Sequence, residues 1–124
     1  MKLDSAGNFI WGKSYGSSGA DEGMAIYVDN NGFVYITGIF LTTIDFSGGS
    51  STLQMTSHGD FDAFVLKLDS AGNELWAAQL GGGSLDMGRC ISGDSFGNVY
   101  VAGSFSDSAD LILLLQCSSF RLPV

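Results

Sequence analysis

His58 is the first residue to consider for chemistry, because it is the only histidine among the 124 residues. An imidazole can serve as a general base, as the partner of a nucleophile or as a metal ligand. His58 lies in the polar segment Thr56-Ser57-His58-Gly59-Asp60. No Ser/His/Asp or Cys/His arrangement repeats or clusters around it in the sequence. We therefore predict that His58 is a solvated loop residue, and we assign no catalytic residue.

Asp21 and Asp86 could bind calcium, since both recur in glycine-rich connections and carboxylates are common calcium ligands. Neither has the Asp-x-Asp-x-Asp series or the bidentate Glu of a calcium loop nearby. Glu22, next to Asp21, is replaced by Met87 next to Asp86. Asp also caps turns by accepting backbone hydrogen bonds. We predict turn capping for both aspartates and assign no metal ligand.

The cysteines and the main glycine run indicate no cofactor site. Cys90 and Cys117 are the two cysteines, and their spacing fits neither a zinc site nor a disulfide framework. The run Gly81-Gly82-Gly83-Ser84 lacks the lysine and the helix that follow a phosphate-binding loop. We predict that this run connects two strands, and we assign no cofactor-binding residue.

Net charge argues against nucleic acid and anionic lipid as partners. The sequence has 13 acidic and 5 basic side chains, a net charge of −8, which repels phosphate groups. The aliphatic run Leu111–Leu115 falls far short of the roughly 18 residues that a membrane-spanning helix needs. The start, Met1–Gly7, has no apolar stretch of the kind found in signal peptides. We expect no membrane span and no signal peptide in this chain.

The elements that position these residues are repeated along the chain. A shift of 65 residues, which lays Lys2 on Lys67, matches 18 of the 40 positions between residues 2–41 and 67–106 without a gap. Such self-similarity marks a structural unit that buries its apolar faces against copies of itself.

Four Asp-x-x-Gly segments divide the repeat into hairpins. Asp in the first place and Gly in the fourth fit a type I turn followed by a residue with positive φ, the three-residue hairpin loop with a bulge. The flanking residues are rich in Val, Ile, Tyr, Phe and Trp, as strands are. The four segments are Asp4–Gly7, Asp29–Gly32, Asp69–Gly72 and Asp94–Gly97.

One 65-residue unit therefore holds two hairpins, or four antiparallel strands, which is the composition of a propeller blade. Strands are predicted at about 23–29, 33–41, 61–69 and 73–81. The stretch 42–60 could run within a blade or between blades, and we favour the first alternative. The predicted fold class is all-β, with propeller blades that are four-stranded antiparallel meanders in an incomplete propeller.

Blade boundaries follow from this phase. Residues 1–19 correspond to the C-terminal half of a preceding blade, 20–82 to one complete repeat and 83–110 to the first half of the next blade. Residues 111–124 depart from the repeat as an aberrant tail. We expect the chain to associate with further blades of a larger parent protein. Because open sheet edges invite pairing, we expect the chain by itself to be marginally stable or oligomeric.

Two recurring features have structural and functional interpretations. Trp11 and Trp76 recur in register, and we predict that each packs against a neighbouring blade. In a meander, the Asp-x-x-Gly turns lie on one rim and the longer connections 42–60 and 82–88 lie on the other. Binding functions tend to reside on variable loops held by a rigid scaffold, so we predict ligand contact on the second rim.

Two strings resemble the SBBP-type β-propeller repeats of bacterial and archaeal secreted or surface proteins. They are Asp62-Ala63-Phe64-Val65-Leu66-Lys67-Leu68-Asp69 and Asp94-Ser95-Phe96-Gly97-Asn98-Val99-Tyr100-Val101. Thr43-Ile44-Asp45-Phe46 is similar to a recurrent connector of the same family. The resemblance covers about residues 2–110. It implies a secreted or surface-exposed parent protein and no agreed catalytic residues.

The sequence thus predicts a non-enzymatic repeat module that acts as a scaffold or as a surface for protein or carbohydrate contact. The alternative is a fragment of a propeller enzyme, such as a lyase or glycosidase, whose catalytic residues lie in other blades. Polar residues that differ between blades would favour this alternative. Arg89, aligned with Met24, and His58 are the only such residues that we identify.

Overall fold

The computed structural model describes residues 1–106 and the short strand Phe120–Arg121. Cys117 and most of the predicted tail lie outside these residues. Within them, no helix is long and apolar enough to cross a membrane. The strands are β1 (Lys2–Leu3), β2 (Phe9–Trp11), β3 (Asp21–Val28), β4 (Val34–Phe40), β5 (Thr43–Asp45), β6 (Gln54–Thr56), β7 (Asp62–Leu68), β8 (Glu74–Leu80), β9 (Asp86–Gly93), β10 (Val99–Phe105) and β11 (Phe120–Arg121).

A four-stranded antiparallel meander, which we call the central sheet, has the order β3-β4-β7-β8. Thr37 of β4 faces Ala25 of β3 on one side and Val65 of β7 on the other. The segment between β4 and β7 therefore runs within one sheet, as the sequence favoured. The all-β fold class with a four-stranded blade is confirmed, whereas the blade boundaries stay predictions.

Two smaller sheets flank the central sheet. The β1–β2 hairpin lies against one of its faces, because Trp11 packs there. The β9–β10 hairpin lies against the opposite face, because Val99 and Val101 belong to the core on that side. The strand β11 pairs in parallel with β10 at Val99 and Tyr100.

The central sheet has two apolar faces because successive side chains of a strand point in opposite directions. One face joins the β9–β10 hairpin in a core of Tyr35, Ala63, Val65, Leu80, Val99 and Val101. The other face carries a core of Val34, Phe40, Ile44, Phe46, Phe64, Leu66 and Leu68. The sheet is thus buried from both sides, as a blade between two neighbours is.

The Asp-x-x-Gly turns have the predicted geometry in all four places. Gly7, Gly32, Gly72 and Gly97 have φ of 86°, 84°, 87° and 82°, a region that side chains with a Cβ rarely adopt. In each turn the glycine N–H donates to the carbonyl oxygen of the aspartate three residues earlier. The predicted type I turn with a left-handed glycine is confirmed.

The aspartate side chain holds each turn together. In the third turn, Asp69 Oδ1 accepts from Ala71 N–H and Asn73 N–H, both at 2.9 Å, and Asn73 Nδ2 donates to Asp69 Oδ2 at 2.9 Å. The Asn73 side chain and backbone hydrogen bonds hold the pKa of Asp69 below its ordinary value of 3.8. The first and fourth turns repeat this arrangement with Asn8 and Asn98.

The second turn differs, because Phe33 stands where the other turns have asparagine. The Tyr35 hydroxyl instead donates to Asp29 Oδ2 at 3.4 Å. Burial raises the pKa of Tyr35 to about 12, and the Asp29 carboxylate adds to this rise. Tyr100 makes the corresponding bond to Asp94 Oδ2 at 3.0 Å.

Both tryptophans pack between sheets, as predicted. The Trp11 indole lies over the third turn, where Gly72 leaves room for it, and Trp11 Nε1 donates to Ser70 O at 3.1 Å. Trp76 packs on the core shared with β9–β10, with its ring 6.3 Å from that of Tyr35. Each indole therefore lies in an interface between neighbouring sheets.

Polar contacts reinforce the docking of the first hairpin. Lys2 Nζ donates to Ser70 O at 3.2 Å. Tyr15, which follows the hairpin, donates to Glu74 Oε1 at 2.7 Å, and Lys13 Nζ lies 3.2 Å from the same oxygen. Burial tends to raise the pKa of Glu74, but the Tyr15 hydrogen bond and the Lys13 ammonium keep it below its ordinary value.

Gly88 and Gly23 occupy equivalent positions 65 residues apart. A Cβ at Gly88 would collide with Thr37 Oγ1 of the central sheet, whereas nothing lies within 4 Å of a Cβ at Gly23. We expect Gly88→Ala to lower the free energy of unfolding by about 1–3 kcal/mol through overpacking. Gly23→Ala, the matched control, should change it by less than about 0.5 kcal/mol. Urea unfolding measures both values, and equal losses would contradict the described packing.

A second prediction concerns the turn aspartates. Because the pKa values of Asp69 and Asp94 are lowered in the folded chain, the stability they provide is present above pH 3.8 and is lost as the pH falls through the folded values. Asn73→Ala should raise the pKa of Asp69 toward 3.8 and leave that of Asp94 unchanged. Carboxyl ¹³C shifts measured against pH report both values, and an unchanged Asp69 titration would refute the assigned role of Asn73.

Candidate functional site

The rim opposite the Asp-x-x-Gly turns, which we call the loop rim, consists of the connections 42–60 and 82–88. The sequence predicted an irregular connection for 42–60, and this proves wrong in part. Residues of this connection form the short antiparallel hairpin β5–β6, in which Ile44 faces Met55. Alternation of only three residues a strand gave too short a pattern to recognise in the sequence.

The β5–β6 hairpin is anchored on its inner side and polar on its outer side. Ile44 and Phe46 are 1% exposed and belong to the core of the central sheet. The hydroxyls of Thr43 and Thr56 face outward and lie 2.7 Å apart. The hairpin therefore presents hydroxyl groups to solvent from a backbone that is fixed by core packing.

Asp45 organises the tip of this hairpin. Its carboxylate accepts from the Ser47 hydroxyl, from Ser47 N–H at 2.8 Å and from Gly49 N–H at 3.1 Å. These bonds, with that of the Ser47 hydroxyl foremost, hold the pKa of Asp45 below 3.8. A carboxylate with this many donors is committed to loop structure and is poorly placed to bind a ligand.

Three aspartates at strand starts share one capping pattern on the loop rim. Asp21, Asp62 and Asp86 each accept the backbone N–H of the residue four positions earlier, at 2.6, 3.3 and 2.8 Å. Asp86 also accepts from Ser106 N–H at 2.9 Å. The turn-capping prediction for Asp21 and Asp86 is confirmed. Asp62 was not singled out in the sequence, although it has the same spacing from its loop.

His58 is bonded to the buried Asp62, so the prediction that it is a solvated loop residue is wrong. His58 Nδ1 lies 2.7 Å from Asp62 Oδ2, with the His58 side chain 49% exposed and that of Asp62 0% exposed. A carboxylate only accepts hydrogen bonds, so Nδ1 carries the hydrogen and Nε2 of the neutral ring is left as an acceptor. The prediction failed because the i,i+4 spacing has no meaning in a loop until the fold bends the chain.

Gln79 completes this polar cluster. Its Nε2 donates to Asp62 Oδ2 at 2.5 Å and to Thr56 O at 2.7 Å, and it lies 3.1 Å from His58 Nδ1. The strand β8 is thereby tied to the end of β6. The cluster of His58, Asp62 and Gln79 joins the β5–β6 hairpin to the central sheet.

The second oxygen of Asp62 is unusual. Asp62 Oδ1 is buried and has no hydrogen-bond partner among the described residues. Gly81 lies directly beside it, because a Cβ there would come within 2.6 Å of Oδ1. The first glycine of the run 81–83 therefore makes room for a buried carboxylate, which is the reason for a glycine at this position.

The chemistry available at this cluster is limited. A His-Asp pair with an outward Nε2 could act as a general base, but the cluster contacts no serine, cysteine or threonine side chain in the described part of the chain. Among the described residues, no group of three or more His, Cys, Asp or Glu side chains could hold a metal ion. Arg89 is exposed and its guanidinium contacts Met87 Sδ at 3.2 Å, away from His58.

Comparisons with known proteins support the repeat fold. No family model matches the chain. It is 29% identical over 114 residues to the uncharacterized WD repeat-containing protein L264 of Acanthamoeba polyphaga mimivirus, which covers 81% of this chain and 8% of that protein. It is 27% identical over 103 residues to the regulatory protein FlaEY of Caulobacter vibrioides, covering 83% and 11%.

The chain thus spans about a tenth or less of each of these two relatives. The similarity to a WD repeat-containing protein and the all-β fold together fit a β-propeller-type repeat. The finer resemblance to the SBBP type is not tested by these relatives and stays a prediction.

Replacing Asp62 tests the polar cluster. Asp62→Ala should lower the free energy of unfolding by roughly 1.5–3 kcal/mol, because it removes hydrogen bonds to a buried charged group. Asp60→Ala is the matched control, since Asp60 is an exposed acid two residues away, and it should change stability by less than about 0.5 kcal/mol. Denaturant unfolding gives both values. A loss at Asp62 no larger than at Asp60 would show that the cluster is unimportant for stability.

Proposed function

We propose that the chain is a non-enzymatic β-propeller repeat module of a larger secreted or surface protein, and that it presents the loop rim to a protein ligand. The observation that carries this proposal is the β5–β6 hairpin. It projects from a four-stranded blade, it is anchored by buried Ile44 and Phe46, and its outer face is polar. Rigid presentation lowers the entropic cost of binding.

The polar groups of the rim suit a protein surface. Thr42, Thr43, Thr56 and Ser18 are exposed, and hydroxyls can both donate and accept hydrogen bonds. Ser18 Oγ lies 3.1 Å from Thr42 Oγ1, so this row continues from the β5–β6 hairpin to the connection before β3. Similarity to a WD repeat-containing protein adds support for a repeat-based interaction module.

Other partners are less well supported. The net charge of −8 disfavours nucleic acid. Hydroxyl-rich surfaces also suit carbohydrates, but the two tryptophans that could stack on a sugar are half-buried between sheets. The secreted or surface location rests on the sequence resemblance alone and belongs to this proposal.

A propeller enzyme is a second candidate, favoured by one observation. His58 occurs once in the repeat, lies on the loop rim and is bonded to a buried carboxylate. An unrepeated polar group on one rim is what a catalytic blade would supply. We rank this candidate second because no nucleophile or metal cluster accompanies His58 among the described residues.

Peptides selected by phage display on the immobilised chain test the proposed function. We expect the selected peptides to bind the loop rim, so that backbone amide shifts change mainly within 42–60 and 82–88. Thr43→Arg should weaken peptide binding about tenfold or more, which corresponds to roughly 1.4 kcal/mol. Ser5→Arg, at an exposed position of an Asp-x-x-Gly turn, should leave the affinity unchanged.

Two results would count against this function. Peptides that bind the Asp-x-x-Gly turns and are insensitive to Thr43→Arg would place the binding surface elsewhere. A hydrolytic or lyase activity toward polysaccharides that His58→Gln abolishes without changing the melting temperature would support the enzyme candidate instead.

A further inference from the structure

An apolar groove of about 290 Å³ lies between the β1–β2 hairpin and strands β3 and β4. Lys2, Trp11 and Val34 line it on three sides. Ile26 and Val28, which also line it, are 63% and 54% exposed. Two exposed β-branched side chains beside a groove form a surface that lacks a partner.

The repeat shows what fills such a groove. Lys2, Trp11 and Val34 are the counterparts of Lys67, Trp76 and Val99. Between those three counterparts lies the ring of Tyr35. Its centre is 6.3 Å from that of Trp76 and 5.2 Å from Lys67 Nζ, and it shares a core with Val99. The groove therefore has the walls of a tyrosine site without the tyrosine.

Two neighbouring positions give the same result. Thr37 lies against Gly88, leaving no room for a Cβ, but the equivalent Gly23 faces open space. Ile91 is half-buried against the core that contains Tyr35, but its counterpart Ile26 is largely exposed. Each contact that Tyr35 and Thr37 make to the next sheet thus has an unfilled equivalent at the groove.

The chain itself carries a hairpin of the required shape. Tyr100 and Ala102 of β10 are the counterparts of Tyr35 and Thr37. The Tyr100 hydroxyl is bonded to Asp94 as that of Tyr35 is bonded to Asp29, so the two rings are held alike. Ala102 is exposed. In one molecule this hairpin lies on the opposite side of the central sheet from the groove, so only another copy can supply it.

Strand pairing agrees with this placement. In the central sheet, Val34 faces Leu68 and Tyr35 faces Lys67. A shift of 65 residues converts these pairs into Val99 with Leu3 and Tyr100 with Lys2. Leu68 is 1% exposed and Leu3 is 48% exposed, so Leu3 has the same pairing still to make. The two-residue strand β11 lies at Val99 and Tyr100, and β1 of the other copy would replace it.

We propose that the groove is the docking site for the β9–β10 hairpin of a second copy of this chain, with Tyr100 of that copy between Lys2 and Trp11. The two copies then share a composite blade built from β9 and β10 of one and β1 and β2 of the other. The contact is head-to-tail, so further copies can add until the assembly closes into a ring. This inference rests on the blade fold and is independent of the ligand of the loop rim.

Two variants of the full 124-residue chain test the docking. Ile26→Asp places a charge in the groove, and Ala102→Asp places one on the docking hairpin. Both side chains are exposed in the single molecule, so each variant should keep the melting temperature that the unassociated chain has. Sedimentation velocity should show concentration-dependent association of the unmodified chain, and a dissociation constant at least about tenfold higher for each variant alone.

Mixing the two variants gives the decisive result. The intact hairpin of Ile26→Asp fits the intact groove of Ala102→Asp, whereas the other two surfaces repel each other. An equimolar mixture should therefore form a 1:1 complex that does not grow further. Isotope-filtered NOEs in this complex should connect the Tyr100 ring of one variant to the Trp11 indole of the other.

Three outcomes would overturn the proposal. The unmodified chain could remain monomeric at its highest soluble concentration, in which case a blade from a longer chain is the occupant. Either variant alone could associate as strongly as the unmodified chain. The mixture could stay monomeric while the unmodified chain associates. Peptide binding at the loop rim is measured separately and can fail or succeed in each case.

Discussion

The central sheet has two apolar faces, and the need to cover both of them governs the rest of the molecule. Val65 and Leu66 are adjacent in β7 and point to opposite faces, yet each is 0% exposed. A sheet of this kind is insoluble unless something lies on either side of it. The repeat solves the problem by supplying the same unit on both sides, and the tryptophans, glycines and tyrosines of the interfaces recur at the repeat distance for that reason.

Much of this architecture could be predicted from the sequence, because its signals are local or periodic. The Asp-x-x-Gly turns depend on four consecutive residues, and Gly72 needs its positive φ whatever surrounds it. The identity of residues 2–8 and 67–73 marks equivalent hairpins without any knowledge of contacts. The packing of Trp11 and Trp76 followed from the repeat, since a side chain that recurs once in each unit serves the interface between units.

The polar cluster on the loop rim could not be predicted in the same way. His58, Asp62 and Gln79 are close only because β7 turns back along β8 and the loop before β7 folds over their ends. None of the three recurs 65 residues away within the described residues: Asp62, for example, has no earlier counterpart and would correspond to position 127. Periodicity finds what each blade repeats, and a functional group particular to one blade is invisible to it. The β5–β6 hairpin escaped notice for a related reason, because its strands have three residues each.

Stacking of the β9–β10 hairpin on the central sheet is the central claim, and NOEs between the Tyr35 ring and the methyl groups of Val99 and Val101 test it most directly. These residues are more than 60 positions apart in the sequence and share one core in the structure. The account predicts strong cross-peaks between them in the unmodified chain. Their absence, in a sample whose β9–β10 cross-strand NOEs are intact, would show that the sheets fold without stacking and would contradict the blade arrangement.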